Sequence, residues 1–280
     1  MDIITSTFSD LMEPNVEFKN FPDGDNYAFI KNLREYQGQD VKLYHRLYPN
    51  QNSNILNAFL LLDTLKRAGA WTVLVSPYLP YSRQEKTFKE GEPLSAQVLC
   101  ELLADCGARR LVTLDCHFLK KEGDYEYRTL KIKNLSANKL LVDHARSKIG
   151  LEDLEIISPD HGANYLVSEF GGKAMTKTRG DYSTGEDAYR KVTTMERGFD
   201  VKGKNVLILD DMISTGNTMV KAVENVKKGG AKKVLCAATH GFFLKDSLQK
   251  LQKISDGVFT TNSIPNPVAE VDVLELLKSA

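Results

Sequence analysis

Val206-Leu207-Ile208-Leu209-Asp210-Asp211-Met212-Ile213-Ser214-Thr215-Gly216-Asn217-Thr218 is an apolar run that ends in two carboxylates and then in a short turn of hydroxyls and glycine. Four apolar residues bounded by a turn suit a buried parallel strand, and the following Met219 to Val226 has helical periodicity. The turn is therefore expected at a helix N-terminus. Unpaired backbone N–H groups and the positive end of the helix dipole meet there, so a phosphate is stabilised. Ser214, Thr215 and Thr218 add hydroxyl donors, and Gly216 lets the backbone approach a ligand closely. Asp210 and Asp211 supply what a phosphate does not need: adjacent carboxylates accept hydrogen bonds from vicinal sugar hydroxyls or help hold a hydrated divalent cation. The stretch reads as a ribose-phosphate site, against the plainer reading of an acidic N-cap before a polar turn.

A helix, a Gly-Ala pair, up to two linking residues and a strand recur three times around this motif. The first unit is Leu60 to Arg67, Gly69-Ala70 and Trp71 to Val75; the second is Ala96 to Cys106, Gly107-Ala108 and Leu111 to Leu114; the third is Val220 to Lys228, Gly230-Ala231 and Val234 to Ala238. Glycine suits the left-handed position after a helix, and alternating helices and buried strands predict parallel sheets with ligands at the carboxyl ends of the strands. Those ends carry Ser76-Pro77-Tyr78, Asp115-Cys116-His117, Ser158-Pro159-Asp160 and Asp210-Asp211. The expected fold class is α/β, with two domains at 1–135 and 136–280. The polar hairpin Lys120 to Lys133 gives way there to a helix from Ala137 to Lys148, then to a strand at Leu154 to Ile157. Ala174 to Glu196, polar and containing Gly180 and Gly185, reads as an exposed flap.

Composition narrows the partners. The chain of 280 residues is 42% hydrophobic, enough for two cores, and its 37 basic and 37 acidic side chains leave no field for nucleic acid. Cys100, Cys106, Cys116 and Cys236 lack the paired spacing of a zinc site, and four cysteines in this length do not build a disulfide framework. No stretch approaches the roughly 20 apolar residues of a membrane span, and Met1 to Thr5 opens no export signal. A cytoplasmic protein with no nucleic acid and no membrane partner is expected.

Five separated segments now support a resemblance. Phe21-Pro22-Asp23-Gly24-Asp25, Pro77 to Gln84, Asp115-Cys116-His117, Ser158-Pro159-Asp160-His161-Gly162 and the opening loop stand in the order found in ribose-phosphate pyrophosphokinases. Thr260 to Pro265 resembles the closing strand and turn of that family, and the short chain resembles its archaeal-type members. A simple phosphoribosyltransferase would share only the opening loop. The resemblance implies two tandem type I phosphoribosyltransferase-like domains, each with a mostly parallel sheet flanked by helices, the first for ATP and the second for ribose phosphate.

It also implies roles. Phe21, Asp23, Asp25, Arg83, Gln84 and His117 are expected to bind ATP, the Phe21 segment reaching it from a neighbouring subunit. His117 and Asp160 would hold Mg2+, with Asp115 as support, and Asp210, Asp211, Ser214, Thr215, Gly216, Asn217 and Thr218 would bind the ribose phosphate. Lys177 and Arg179, at the root of the flap, would close over the transferring phosphates as the catalytic cations. No GxxxxGK[ST] occurs, so a P-loop kinase is excluded. Asn217 stands where the family pattern carries a second glycine, and Asp25 where it usually carries glutamate. Three rivals accompany the main reading: pyrophosphoryl transfer to another ribose such as ADP-ribose, a phosphoribosyltransferase, and a non-catalytic regulatory subunit.

Overall fold

In the computed structural model the described residues are 1–149, 154–182, 190–196 and 198–280, without side chains at 149, 177–182 and 190–196. They form two compact units, Met1–Ser136 with Leu274–Ala280, and Ala137–Val273.

The first unit runs β1 (Asp2–Ile4), β2 (Val16–Asn20), β3 (Asn26–Ile30), β4 (Asp40–Tyr44), α1 (Gln51–Arg67), β5 (Trp71–Val75), α2 (Ser95–Cys106), β6 (Ala108–Leu114), β7 (Gly123–Tyr127) and β8 (Leu130–Leu135). Its main sheet has the order β1-β4-β5-β6-β8-β7, parallel throughout except for the antiparallel edge strand β7, and β2 pairs with β3 as a separate antiparallel hairpin. Gly69 and Gly107 end their helices with positive φ, at 79° and 121°. At Gly107 a side chain is excluded twice over, since a Cβ would sit 2.9 Å from Lys66 Cβ. The core joins Leu43 and Leu74 of the sheet to Leu61, Leu62 and Leu65 of α1 and to Leu99 and Leu103 of α2.

Two buried polar groups follow β4. His45 Nε2 lies 2.8 Å from Asn54 O, a carbonyl that can only accept, so that nitrogen carries the hydrogen and Nδ1 accepts from Thr5 Oγ1 at 2.9 Å. Burial lowers the His45 pKa from 6.5 to about 4. Below pH 6.5 the unfolded chain therefore binds a proton that the folded chain refuses, and stability falls as pH drops toward 4, by about 3 kcal/mol in total. His45→Gln keeps the donor to Asn54 without titrating. Its melting temperature is expected to fall less than that of the unmodified protein between pH 7 and pH 4, and parallel curves would refute the assignment. Arg46, 2% exposed, forms a bidentate pair with Asp10 and packs 4.6 Å over the Phe8 ring.

The second unit runs α3 (Asn138–Ile149), β9 (Leu154–Ser158), β10 (Lys173–Ala174), β11 (Thr176–Tyr182), β12 (Arg190–Glu196), β13 (Asn205–Ile213), α4 (Asn217–Lys228), β14 (Lys233–Gly241), α5 (Ser247–Ile254), β15 (Gly257–Thr261) and β16 (Ala269–Val271); α6 (Leu274–Lys278) belongs to the first. The parallel sheet β10-β9-β13-β14-β15-β16 has alternating faces. Val206, Ile208, Val234 and Cys236 pack with Met219 and Val223 of α4 and Leu251 of α5, while Leu207, Leu209, Leu235 and Ala237 pack with Leu141, Val142 and Ala145 of α3. An apolar run without polar alternation thus reports a strand covered on both faces.

The predicted flap is two antiparallel strands, β11 and β12; residues 183–189 between them, Gly185 included, lie outside the described residues. Among the described residues no helix is long and apolar enough to cross a membrane. All four cysteines are free, and burial pushes the thiols of Cys100 and Cys236 up to about 12, away from reactivity.

Candidate functional site

The site is clearest in the second unit, at the carboxyl edge of its sheet. Strand β13 does not stop at its carboxylates as the sequence pattern suggested: pairing with β14 continues through Met212↔His240 and Ile213↔Gly241. Asp210 and Asp211 therefore lie inside the last turns of the strand, extended because Ile213 is itself buried, at 2% exposure. Asp211 is buried and Asp210 half-buried, and Asp210 Oδ1 accepts from the Asp211 N–H at 3.0 Å.

Helix α4 starts at Asn217, earlier than its apolar periodicity indicated, so Asn217 and Thr218 occupy its first turn. Its N-cap residue, Gly216, has no side chain to cap with, and the first intrahelical bond is Val220 N–H to Gly216 O at 2.8 Å. The N–H groups ahead of Val220 have no acceptor within the helix, as an anion site requires. Gly216 has φ 72°, and a Cβ there would stand 2.9 Å from Ser247 Cβ. Its necessity thus comes from packing against α5 as well as from any ligand. Ser214, Thr215 and Thr218 are half-buried and Asn217 is exposed.

Neighbouring strands bring further residues to this edge. Ile157 of β9 pairs with Ile208 of β13, so the few residues beyond carry Asp160 to the level of Asp210 and Asp211. Ser158 Oγ fixes the Asp160 carbonyl at 3.0 Å, and a Cβ on Gly162 would come 2.9 Å from Asp160 Oδ1, so that glycine makes the room the carboxylate occupies. Met175 N–H donates to Ser158 O at 3.1 Å, which starts β11 beside the same strand end. Lys177 and Arg179 lie on β11 two residues apart, with a break in the β11–β12 register between Thr178 and Arg179; their side chains are outside the described residues.

In the first unit, β5 and β6 are parallel neighbours, and the Thr113 hydroxyl and Leu114 N–H both donate to Pro77 O, at 3.1 and 2.9 Å. The segments bearing Arg83, Gln84 and His117 therefore leave the sheet side by side. Arg83 is exposed and has no ion-pair partner among the described residues. Gln84 is half-buried, and its Oε1 accepts from Ser95 Oγ at 2.7 Å, so part of its amide secures the start of α2. Asp115 is 2% exposed with φ 37°, a costly backbone for a residue with a Cβ, held by its N–H to Leu135 O at 2.9 Å. His117 is half-buried. Phe21, Asp23 and Asp25 form the exposed tip of the β2–β3 hairpin, where Asp25 N–H donates to Asp23 Oδ1 at 3.2 Å and Phe21 meets Tyr27 edge-on at 5.8 Å.

His117 and Asp160 belong to different units. Among the described residues no three His, Cys, Asp or Glu side chains converge as a metal cage. Each unit thus offers a single donor, which suits an ion held by one protein ligand with phosphates and water, as magnesium is.

Sequence reading missed the support beneath the loop. Residues 242–247 hold Ile213 and Ser214 from below, and His240, 1% exposed, is tied through Nδ1 to Ser263 Oγ at 3.0 Å. Only the resemblance of Thr260 to Pro265 pointed to this side of the sheet.

Fold and edge together define a phosphoribosyltransferase-type protein built of two units. Residues 6–107 match the family described as the N-terminal domain of ribose phosphate pyrophosphokinase, and residues 162–275 match the phosphoribosyl transferase domain; His117 and Asp160 lie between the two matches. The chain is 36% identical to the ribose-phosphate pyrophosphokinase of Pyrococcus furiosus, with 93% of this chain and 90% of that one covered. It is 30% identical to the enzyme of that name from Mycoplasma genitalium, covering 95% and 81%. The crystal structure of phosphoribosylpyrophosphate synthetase from Mycobacterium smegmatis shares the fold, with a TM-score of 0.77, 24% identity and coverage of 100% and 96%. The chain belongs to the ribose-phosphate pyrophosphokinase family.

Proposed function

We propose that this chain is an enzyme that transfers the β,γ-diphosphoryl group of Mg-ATP to the anomeric hydroxyl of ribose 5-phosphate, giving phosphoribosyl pyrophosphate and AMP. The observation that carries the reading is the carboxyl edge of the second unit, where Asp160, Asp210, Asp211 and the start of α4 share one level beside the root of β11. Asp210 and Asp211 orient the ribose hydroxyls, and Ser214 to Thr218 hold the 5-phosphate. Phe21, Asp23, Asp25, Arg83 and Gln84 seat ATP, with the hairpin tip supplied by a neighbouring copy of the chain. His117 and Asp160 are the protein ligands for Mg2+, which when bound neutralises phosphate charge and acidifies the attacking hydroxyl. Lys177 and Arg179 stabilise charge on the oxygens of the moving group. The anomeric oxygen bonds to the β-phosphorus as the bridging α,β bond breaks; AMP leaves and the hydroxyl proton passes to solvent. A reducing cytoplasm completes the reading, supported by the four free cysteines.

The test is purified protein with Mg-ATP and a panel of ribose phosphates, products identified by mass. AMP with phosphoribosyl pyrophosphate is expected from ribose 5-phosphate, and its absence would overturn the proposal. Asn217→Gly probes the departure in the loop. Because Asn217 is exposed at the first helical position, the variant is expected to leave the KM for ribose 5-phosphate unchanged or lower and to cost at most about 1 kcal/mol of helix stability. A switch of preferred acceptor to ADP-ribose would contradict it.

A further inference from the structure

Arg83 meets the phosphates of ATP in this reading, and the turn that carries it is fastened at both ends. Gln84 N–H donates to Tyr81 O at 3.0 Å and closes a β-turn with Ser82 and Arg83 at its centre. The far end is tied to the start of α2, where Ala96 N–H donates to Gln84 O at 3.3 Å and Ser95 Oγ to Gln84 Oε1 at 2.7 Å. The near end is tied to a different helix: the Tyr81 hydroxyl donates to Asn52 Oδ1 at 2.5 Å, in the first turn of α1.

Two costs fall on this turn. Tyr81 takes left-handed backbone, at φ 62°, which is unfavourable for a residue with a Cβ and free for glycine. Ser82 is 1% exposed, and its hydroxyl has no hydrogen-bond partner among the described residues. Core packing does not account for a tyrosine at the strained position, since Tyr81 is 42% exposed and lies outside the core of this unit. What its side chain supplies that glycine would lack is the tether to Asn52. Backbone strain of this kind collects where a geometry is held for function.

We infer that Tyr81 is a positioning residue for ATP: its bond to Asn52 holds the turn that presents Arg83 to the nucleotide phosphates. The inference rests on the ATP reading of Arg83. Tyr81→Phe removes the hydroxyl and keeps the ring. KM for ATP is expected to rise about fivefold, while kcat and the KM for ribose 5-phosphate move less than about twofold. Asn52→Ala should give the same rise, and the double variant no more than either alone, because both remove one bond. In an Arg83→Ala background Tyr81→Phe should add nothing, as a residue acting through Arg83 requires. The melting temperature should shift by less than about 2 °C, since the bond joins two exposed residues. A merely structural tyrosine would instead lower the melting temperature and leave the KM for ATP where it was. An unchanged KM for ATP in Tyr81→Phe, with Arg83→Ala raising it, overturns the inference alone; no effect of Arg83→Ala overturns the reading of Arg83 and the inference with it.

Discussion

Replacing Lys177 and Arg179 together by alanine is expected to reduce kcat by more than about 10³-fold while KM for both substrates changes little. Both residues lie on β11, which leaves the sheet edge just after Met175 bonds to Ser158 O, two residues before Asp160. Cations delivered there would meet the phosphates mainly in the transition state, so their loss belongs to turnover rather than binding. Each single variant should lose roughly 10²–10³-fold, and the pair less than the product, because the two residues ride on one strand pair. Stability should shift by no more than about 0.5 kcal/mol per substitution. Full kcat in the double variant, at an unaltered melting temperature, would remove the two cations from the mechanism.

The largest effect on stability is expected far from chemistry, at Asp10→Ala. Arg46 is 2% exposed, and the loss of Asp10, itself 41% exposed, strands a buried guanidinium whose remaining contacts include Thr7 O and the Phe8 ring. Removing one partner of such a pair costs about 3 kcal/mol, or about 10 °C in melting temperature for the first unit. Arg46→Met in the Asp10→Ala background should recover part of the loss, since an apolar side chain of similar length ends the unpaired charge. If Asp10→Ala melts with the unmodified protein, the pair contributes nothing and the burial of Arg46 has another cause.

Much of this architecture was written in local pattern. Runs such as Val206 to Leu209 announced strands covered on both faces, and Gly69, Gly107 and Gly230 marked helix ends because the turn after each helix takes positive φ, which glycine adopts without a Cβ penalty. Less legible were features made by contacts distant in sequence. Nothing near Gly216 shows that Ser247 crowds it, nothing near Gln84 shows that Ser95 engages its amide, and nothing in β13 alone shows that β14 carries the strand on to Ile213.

The chain's path between its units sets what can be separated. Ala137–Val273 forms one continuous stretch, whereas the first unit is made of Met1–Ser136 and Leu274–Ala280, the latter held by Lys42 Nζ at 3.0 Å from Lys278 O. In effect the second unit is an insertion in the first. It can be excised as a single gene fragment, whereas its complement needs two fragments spliced across a new junction.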